Sequence, residues 1–410
     1  MVSKKIGHYP FKNWALWTLG GLFYLYEFMY RLSPSVMIAE LMQDFNASAY
    51  DIGMLSAAYF YAYAFCQIPV GFLLDRFTLR WLLSSACLLV AGGSFLFSIA
   101  DNLFMAYVAR ILIGTGSAFG FGVCLKISTA LFEARHFAVL VGLTNLIGIV
   151  GALIGGHPWA YWVQEYGWRP TLKNAAIIGA ILSIALNIGL KNVGHSPSQI
   201  IKKPFDIKKI IPLLTHPQIW LIAFYGCCMV APIAAFSELW GPVFLMQKYQ
   251  IDRLQAASIT SSTFIGIAIG GPLIGYISAY VKRKKLFMLL GSLGSLSSIL
   301  LAIYLPPIPL ITLSFLYFLF GLSSSTMLLC FSLNSALVPT PNQGAVIGLT
   351  NTIVMAGSVL SQPLIGYLLQ SSATGKFTTE NFQNAFLLLP ICQFIAVLLW
   401  YRIKEPLSRL

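Results

Sequence analysis

Charged residues are scarce in this chain, because Asp, Glu, Lys and Arg together make up only 10% of its 410 residues. A soluble domain carries about 25% charged residues. Hydrophobic residues make up 58% of the sequence, the mean hydropathy is +0.78, and no polar stretch is long enough to fold as a separate soluble domain. The composition therefore predicts a membrane protein with many spanning segments.

Motifs for catalysis and for ATP use are absent from the sequence as well. It contains no H-E-x-x-H, no G-x-S-x-G and no Walker sequence, which argues against an enzyme and against ATP as the driving force. The seven cysteines lie in apolar segments, without a C-x-x-C pair and without a histidine at ligand spacing. We therefore expect no disulfide framework, no metal site and no cofactor.

Twelve apolar segments follow one another along the chain. They cover residues 14–38, 52–74, 81–99, 103–130, 137–163, 171–190, 217–246, 255–280, 285–304, 308–331, 343–370 and 382–402. The basic residues behind the net charge of +13 fall in the short loops between these segments, which argues against nucleic acid as a partner. Eighteen Lys and Arg lie in the termini and in alternate loops, against five in the opposite loops. The positive-inside rule therefore predicts that both termini are cytoplasmic.

An internal repeat relates the two halves of the sequence. The residues V-G-L-T-N at 141–145 recur as I-G-L-T-N at 347–351, and Gly151 recurs in step as Gly357. The longest polar break lies between the halves, so the predicted domains are an N-terminal six-helix bundle, a cytoplasmic linker and a C-terminal six-helix bundle, covering 1–190, 191–216 and 217–410. Two parallel halves of six spans are typical of secondary transporters.

The loop after the second span reads G-F-L-L-D-R-F-T-L-R at 71–80. It resembles the signature of the major facilitator superfamily, G-x-L-x-D-R-x-G-R-[KR], although Thr78 and Leu79 replace a Gly and an Arg. The positions that match are Gly71, Leu73, Asp75, Arg76 and Arg80. The resemblance implies an all-α membrane protein of twelve transmembrane helices in two pseudo-symmetric bundles. We expect such a protein to act as a monomer in the bacterial inner membrane.

In that family this loop acts as a cytoplasmic gate, and the resemblance assigns the role to Gly71, Asp75, Arg76 and Arg80. Asp75 would lie against the positive end of a neighbouring helix and against basic side chains, contacts that must break when the protein opens inward. The alternative is that these charges only fix the topology.

Two charged residues lie in the first span, Glu27 and Arg31, four positions apart and hence on one face of a helix. A charge at membrane depth costs between ~2.5 and ~10 kcal/mol, so it must be paired or face a wet cavity. The pair either locks helices together or forms a polar site that meets solute. The second reading makes Arg31 a substrate-binding residue and Glu27 a proton-coupling residue.

Two further buried charges are candidates for proton coupling. Arg110 opens the phrase R-I-L-I-G-T-G, which resembles a family motif, and it needs a carboxylate or polar partner. Glu27 pairs either with Arg110 or with Arg31. Glu238 lies between Pro232 and Gly241-Pro242, a pattern that predicts a bent helix and leaves open whether the acid gates the outer side or is solvated.

The remaining substrate-binding candidates are aromatic or amide side chains that offer oriented hydrogen bonds in a cavity. Aromatic faces at helical spacing also arise from ordinary packing. These candidates are Tyr30, Tyr59, Tyr63, Gln67, Asn145 and Asn351.

The predicted function is alternating access with proton-coupled import of a small carboxylate-bearing metabolite, amino acids first. The phrase Y-E-x-x-x-R-x-S-P-S at 26–35 resembles bacterial nutrient importers of the phagosomal-transporter type and, less closely, the organic-anion branch of the family. That second resemblance keeps open an organic anion or a carboxylate siderophore as substrate. A non-transporting nutrient receptor is the alternative from a different class. The expected partners are a small-molecule substrate, protons and the lipid bilayer.

Overall fold

The computed structural model describes residues 9–133, 136–193, 215–339, 343–372 and 377–405. Helices α1 to α9 are Phe11–Leu32, Ile38–Asp44, Ala49–Arg76, Leu79–Ser98, Leu103–Ser117, Gly120–Leu131, Phe137–Gly155, His157–Tyr166 and Trp168–Gly189. Helices α10 to α18 are Pro217–Pro232, Gly241–Tyr249, Arg253–Val281, Lys284–Tyr304, Leu310–Ser324, Leu329–Ala336, Gln343–Ser372, Thr379–Phe386 and Leu388–Arg402. A π-helix covers Ile233–Trp240.

Within the described residues, 10 helical stretches are long and apolar enough to cross a membrane. Helix α1 with 22 residues and α3 with 28 residues are not among the ten. At a rise of about 1.5 Å per residue, both nevertheless exceed the ~30 Å of a bilayer's hydrocarbon core. The all-helical membrane fold is therefore confirmed, although the predicted count of twelve spans is not matched exactly on length and apolarity together.

The contacts divide the chain into two units, residues 1–33 with 61–202 and residues 34–60 with 203–410. This grouping differs from the predicted domains in one segment, since 34–60 packs with the C-terminal part of the chain. The division at 191–216 stays a prediction, and residues 194–214 of that linker lie outside the described part of the chain.

Close backbone contacts explain why residues 34–60 group with the second unit. A Cβ atom added at Gly53 would lie 2.6 Å from the carbonyl oxygen of Gln362, and one added at Gly366 would lie 2.4 Å from that of Ala49. Glycine at both positions thus lets α3 and α16 approach to backbone contact. The order of apolar segments along the sequence does not predict these tertiary contacts.

The internal repeat corresponds to the same kind of helix crossing inside each unit. In the first unit a Cβ at Gly151 of α7 would lie 2.3 Å from the carbonyl oxygen of Leu25 on α1. In the second unit a Cβ at Gly357 of α16 would lie 2.4 Å from the carbonyl oxygen of Cys227 on α10. The repeated glycine therefore marks the place where the fifth and eleventh spans cross the first and seventh.

We expect Gly151→Ala to destabilise the protein, because the new methyl group meets a backbone carbonyl that cannot move aside. Overpacking of this kind typically costs about 1–3 kcal/mol. Gly142→Ala in the same helix is the control, since a Cβ there meets no atom within 4 Å and alanine is the better helix former. Thermal unfolding of the detergent-purified variants measures the difference, and equal unfolding temperatures would contradict the tight crossing.

Candidate functional site

The acid of the first span lies in the interior of the first unit. Glu27 is only 1% exposed, and Gly120 at the start of α6 leaves room for it. A Cβ at Gly120 would lie 3.1 Å from Glu27 Oε1 and 2.9 Å from the ring of Tyr24, and a Cβ at Gly148 of α7 would lie 2.5 Å from the same ring. Glycines of the fourth and fifth spans thus hold Glu27 and Tyr24 close against their own helices.

Arg31 lies one turn after Glu27 and is half-buried, with its guanidinium group 5.5 Å from the centre of the Phe28 ring. Tyr63, on the part of α3 that belongs to the same unit, lies close enough to Glu27 and Arg31 to interact electrostatically with both. Its hydroxyl shares a hydrogen bond with Gln67, one turn further along. The first unit therefore brings together four residues that the sequence predicts for the site. They are Glu27, Arg31, Tyr63 and Gln67, and we call them the charged cluster.

Arg110 is fully buried on α5, and its Nη1 donates a hydrogen bond of 2.9 Å to the carbonyl oxygen of Tyr30. In a regular helix that carbonyl would accept from residue 34, but Pro34 has no N–H to offer. The hydroxyl of Ser33 donates to the same oxygen at 3.2 Å. Arg110 thus donates a hydrogen bond to a carbonyl oxygen in the last turn of α1, at the residue directly before Arg31.

We expect Arg110→Met to destabilise the purified protein, because it removes the buried donor to the Tyr30 carbonyl, a loss of about 1–3 kcal/mol. In the Pro34→Ala background the same change should cost less, since alanine restores an N–H that the carbonyl can accept. Thermal unfolding of the two single variants and the double variant measures this coupling. Equal losses in both backgrounds would show that Arg110 stabilises the fold through other contacts.

The hydroxyl of Tyr30 takes part in a buried hydrogen-bonded cluster. It donates to Ser94 Oγ at 2.9 Å, and Ser94 in turn donates to the carbonyl oxygen of Leu172 at 2.9 Å. The Tyr26 hydroxyl lies 3.0 Å from that of Tyr30 and donates to the carbonyl oxygen of Ala175. These bonds join α1 to α4 and α9. Contacts within the protein therefore account for the position of Tyr30 without a substrate. Its role in substrate binding stays a prediction.

The other three predicted binding residues are Asn145, Tyr59 and Asn351. Asn145 is exposed on α7, and its amide donates at 3.1 Å to the carbonyl oxygen of Val141 in its own helix. Tyr59 and Asn351 belong to the second unit, where Tyr59 is buried and Asn351 is half-buried.

The segment around Glu238, for which the sequence predicts a bent helix, forms the π-helix that follows Pro232. Glu238 is 1% exposed within it. A Cβ at Gly241, where the α-helix resumes, would lie 1.9 Å from the carbonyl oxygen of Phe236, so only glycine fits there. Short π-helical stretches are frequent at functional sites, which keeps Glu238 among the candidates.

Of the predicted gate residues, Gly71 and Asp75 have side chains outside the described part of the structure. Arg76 is exposed at the end of α3. Arg80 donates two hydrogen bonds to Asn187 Oδ1, at 3.1 Å from Nε and 2.6 Å from Nη2. Arg80 therefore ties α4 to α9 within the first unit, and the gating role of the loop stays a prediction.

Sequence reasoning missed Tyr24 as a member of the charged cluster. This residue precedes Glu27 by three positions and Arg31 by seven, so helical spacing alone places all three on one face. Among the described residues, no group of three or more His, Cys, Asp or Glu could hold a metal ion.

The sequence matches the Major Facilitator Superfamily over residues 16–252 and 239–410. It is 25% identical over 430 aligned positions to the uncharacterized transporter YybO of Bacillus subtilis, covering 94% of this chain and 93% of that one. It is also 25% identical over 307 positions to the probable galactarate/D-glucarate transporter GudP of Escherichia coli, covering 66% and 67%. A solved structure of a bacterial homolog of the human lysosomal transporter Spinster, inward-facing and unoccupied, has the same fold, with a TM-score of 0.82, 15% identity and coverage of 97% and 99%.

Proposed function

Because the chain belongs to the Major Facilitator Superfamily, we propose that it is a secondary transporter that imports a sugar acid or related organic anion together with protons. The predicted membrane is the bacterial inner membrane, which agrees with the bacterial origin of similar transporters.

The observation that carries this proposal is the cluster of Glu27, Arg31, Tyr63 and Gln67 in the first unit. The planar guanidinium of Arg31 matches a carboxylate through two parallel hydrogen bonds. A phenol and an amide offer hydrogen bonds to hydroxyl groups. A sugar acid presents both kinds of group, a carboxylate and a row of hydroxyls, and the similarity to a probable galactarate/D-glucarate transporter supports this class over the amino acids.

Coupling to protons follows from the charges in this cluster. A substrate carboxylate bound at Arg31 lies one helical turn from Glu27, and two like charges at such a distance repel strongly where water is scarce. Protonation of Glu27 removes that repulsion. Proton and substrate therefore strengthen each other's binding, and by linkage the effect is reciprocal. A carrier with this property moves both in the same direction.

Uptake into proteoliposomes with an imposed pH gradient tests the proposal. Labelled D-glucarate, a hexuronate, leucine and citrate are offered separately, with and without a protonophore. We expect a sugar acid to accumulate above its outside concentration, and we expect the protonophore to abolish this accumulation. Accumulation of leucine alone would disprove the sugar-acid assignment. Binding of a sugar acid without any flux would instead identify a non-transporting receptor.

A further inference from the structure

A groove of about 550 Å³ runs along the first unit, away from the charged cluster. Helices α1, α8 and α9 form its walls, and almost all of its lining side chains are apolar. Representative lining residues are Leu22, Leu25, Tyr26, Trp162, Ile178 and Ala185.

The groove and the charged cluster lie on opposite faces of α1. Leu22, Tyr26 and Met29 line the groove, whereas Glu27 and Arg31 belong to the cluster. At 100° per residue the mean directions of the two sets differ by nearly half a turn. The Tyr26 hydroxyl bonds the carbonyl oxygen of Ala175, so Tyr26 contributes mainly its ring to the groove. The groove is therefore a separate feature from the proposed substrate site.

The groove is continuous with apolar surface that the spanning helices expose. Leu22 is 44% exposed, Ile178 59% and Ile181 62%, and each of these also lines the groove. On a spanning helix such surface faces lipid, which is the solvent there. The groove thus opens to the hydrocarbon of the bilayer along its length.

Its dimensions and the placement of its polar residues match one lipid chain. On α9 the lining runs from Thr171 to Ala185, about 21 Å along the helix axis, which exceeds the ~15 Å of hydrocarbon in one leaflet. Trp162, Tyr166 and the exposed Asn174 lie where α8 meets α9. Trp and Tyr prefer the interface between membrane and water, so this end corresponds to the head-group level.

We propose that the groove binds one acyl chain of a phospholipid. Asn174 donates to the ester carbonyl of that lipid, and the neighbouring Lys173, which is exposed, attracts its phosphate. The predicted topology places this end of the groove in the outer leaflet.

Native mass spectrometry of the full chain, purified in a mild detergent and titrated with palmitoyl-oleoyl phosphatidylglycerol, tests the proposal. We expect one lipid per protein to be retained after the other lipids dissociate. Ala185 lines the groove at the end farthest from the head-group level, so Ala185→Trp fills that end and should remove the retained lipid. Ile184→Trp is the matched control, because Ile184 is 62% exposed outside the groove, and this variant should keep the lipid.

Three results would overturn the proposal. The first is equal lipid retention in Ala185→Trp and Ile184→Trp at equal unfolding temperatures. The second is release of the retained lipid by a sugar acid, which would make the groove part of the substrate route. The third is equal retention of diacylglycerol and phosphatidylglycerol together with no effect of Lys173→Gln, which would remove the phosphate contact and with it the phospholipid assignment. A weaker retention of diacylglycerol supports the proposal.

Discussion

Replacing Arg31 with alanine is expected to abolish substrate binding while leaving the purified protein folded. In the proposed site its guanidinium pairs with the substrate carboxylate, and removing one partner of such a desolvated pair costs about 2–5 kcal/mol, or roughly 30-fold or more in Kd. Arg31 is half-buried, and its guanidinium group lies 5.5 Å from the centre of the Phe28 ring. Such a stacking contact contributes only ~0.5–1 kcal/mol at a partly exposed position. Calorimetric titration with the sugar acid found in the uptake screen measures the loss.

Arg31→Lys is the matched control, because it keeps the charge and removes the planar fork. We expect this variant to bind with intermediate affinity, since an ammonium group attracts a carboxylate but does not grip it with two parallel bonds. Unchanged affinity in Arg31→Ala at an unchanged unfolding temperature would exclude Arg31 from the site. The role of Glu27 could then be tested on its own.

The architecture was largely predictable from the sequence, because long hydrophobic segments indicate which stretches cross the membrane and the repeated glycine indicates where helices cross one another. The repeat at 141–145 and 347–351 correctly indicated that the fifth and eleventh spans are equivalent. It could not indicate that residues 34–60 pack with the C-terminal part of the chain. That grouping depends on backbone contacts between Gly53 and Gln362, more than 300 positions apart in sequence.

The site was predictable only in part, for a related reason. Helical spacing alone places Glu27 and Arg31 on one face of α1. No spacing rule predicts that Arg110 donates to the Tyr30 carbonyl. That bond depends on Pro34, which has no N–H to donate, and on a side chain from α5, which is distant in sequence. The sequence indicates that Arg110 needs a polar partner, and the carbonyl oxygen of Tyr30 is one such partner in the structure.

The two units share their helix crossings but differ in the chemistry around them. The equivalent glycine contacts, Gly151 with Leu25 and Gly357 with Cys227, align Glu27 with Met229 and Arg31 with Ile233. Met229 and Ile233 are both apolar and buried. Repetition thus preserved the glycines that set backbone distance, while the charged cluster belongs to the first unit alone among these aligned positions. For this reason we place the substrate carboxylate at Arg31.

Replacing Glu27 with glutamine is expected to separate substrate exchange from proton coupling. Glutamine has nearly the shape of glutamate, so it fits the tight space beside Gly120, where a Cβ would lie 3.1 Å from Glu27 Oε1. A permanently neutral side chain imitates the protonated state that favours the substrate anion. We therefore expect exchange of labelled for unlabelled sugar acid across proteoliposome membranes to continue and to lose its dependence on pH. Uphill accumulation driven by a pH gradient should disappear.

Glu238→Gln is the matched control, because Glu238 is equally buried at 1% exposure but lies on the π-helix of the second unit. If Glu27 alone carries the coupled proton, the Glu238 variant still accumulates substrate when a pH gradient is applied. Accumulation by the Glu27→Gln variant would exclude Glu27 as the coupling group. If that result came with loss of accumulation in Glu238→Gln, the coupling proton would belong to the π-helix instead. The pair of variants thus assigns the proton to one of two buried acids, because only the acid that loses and gains the proton in each cycle needs to be ionisable.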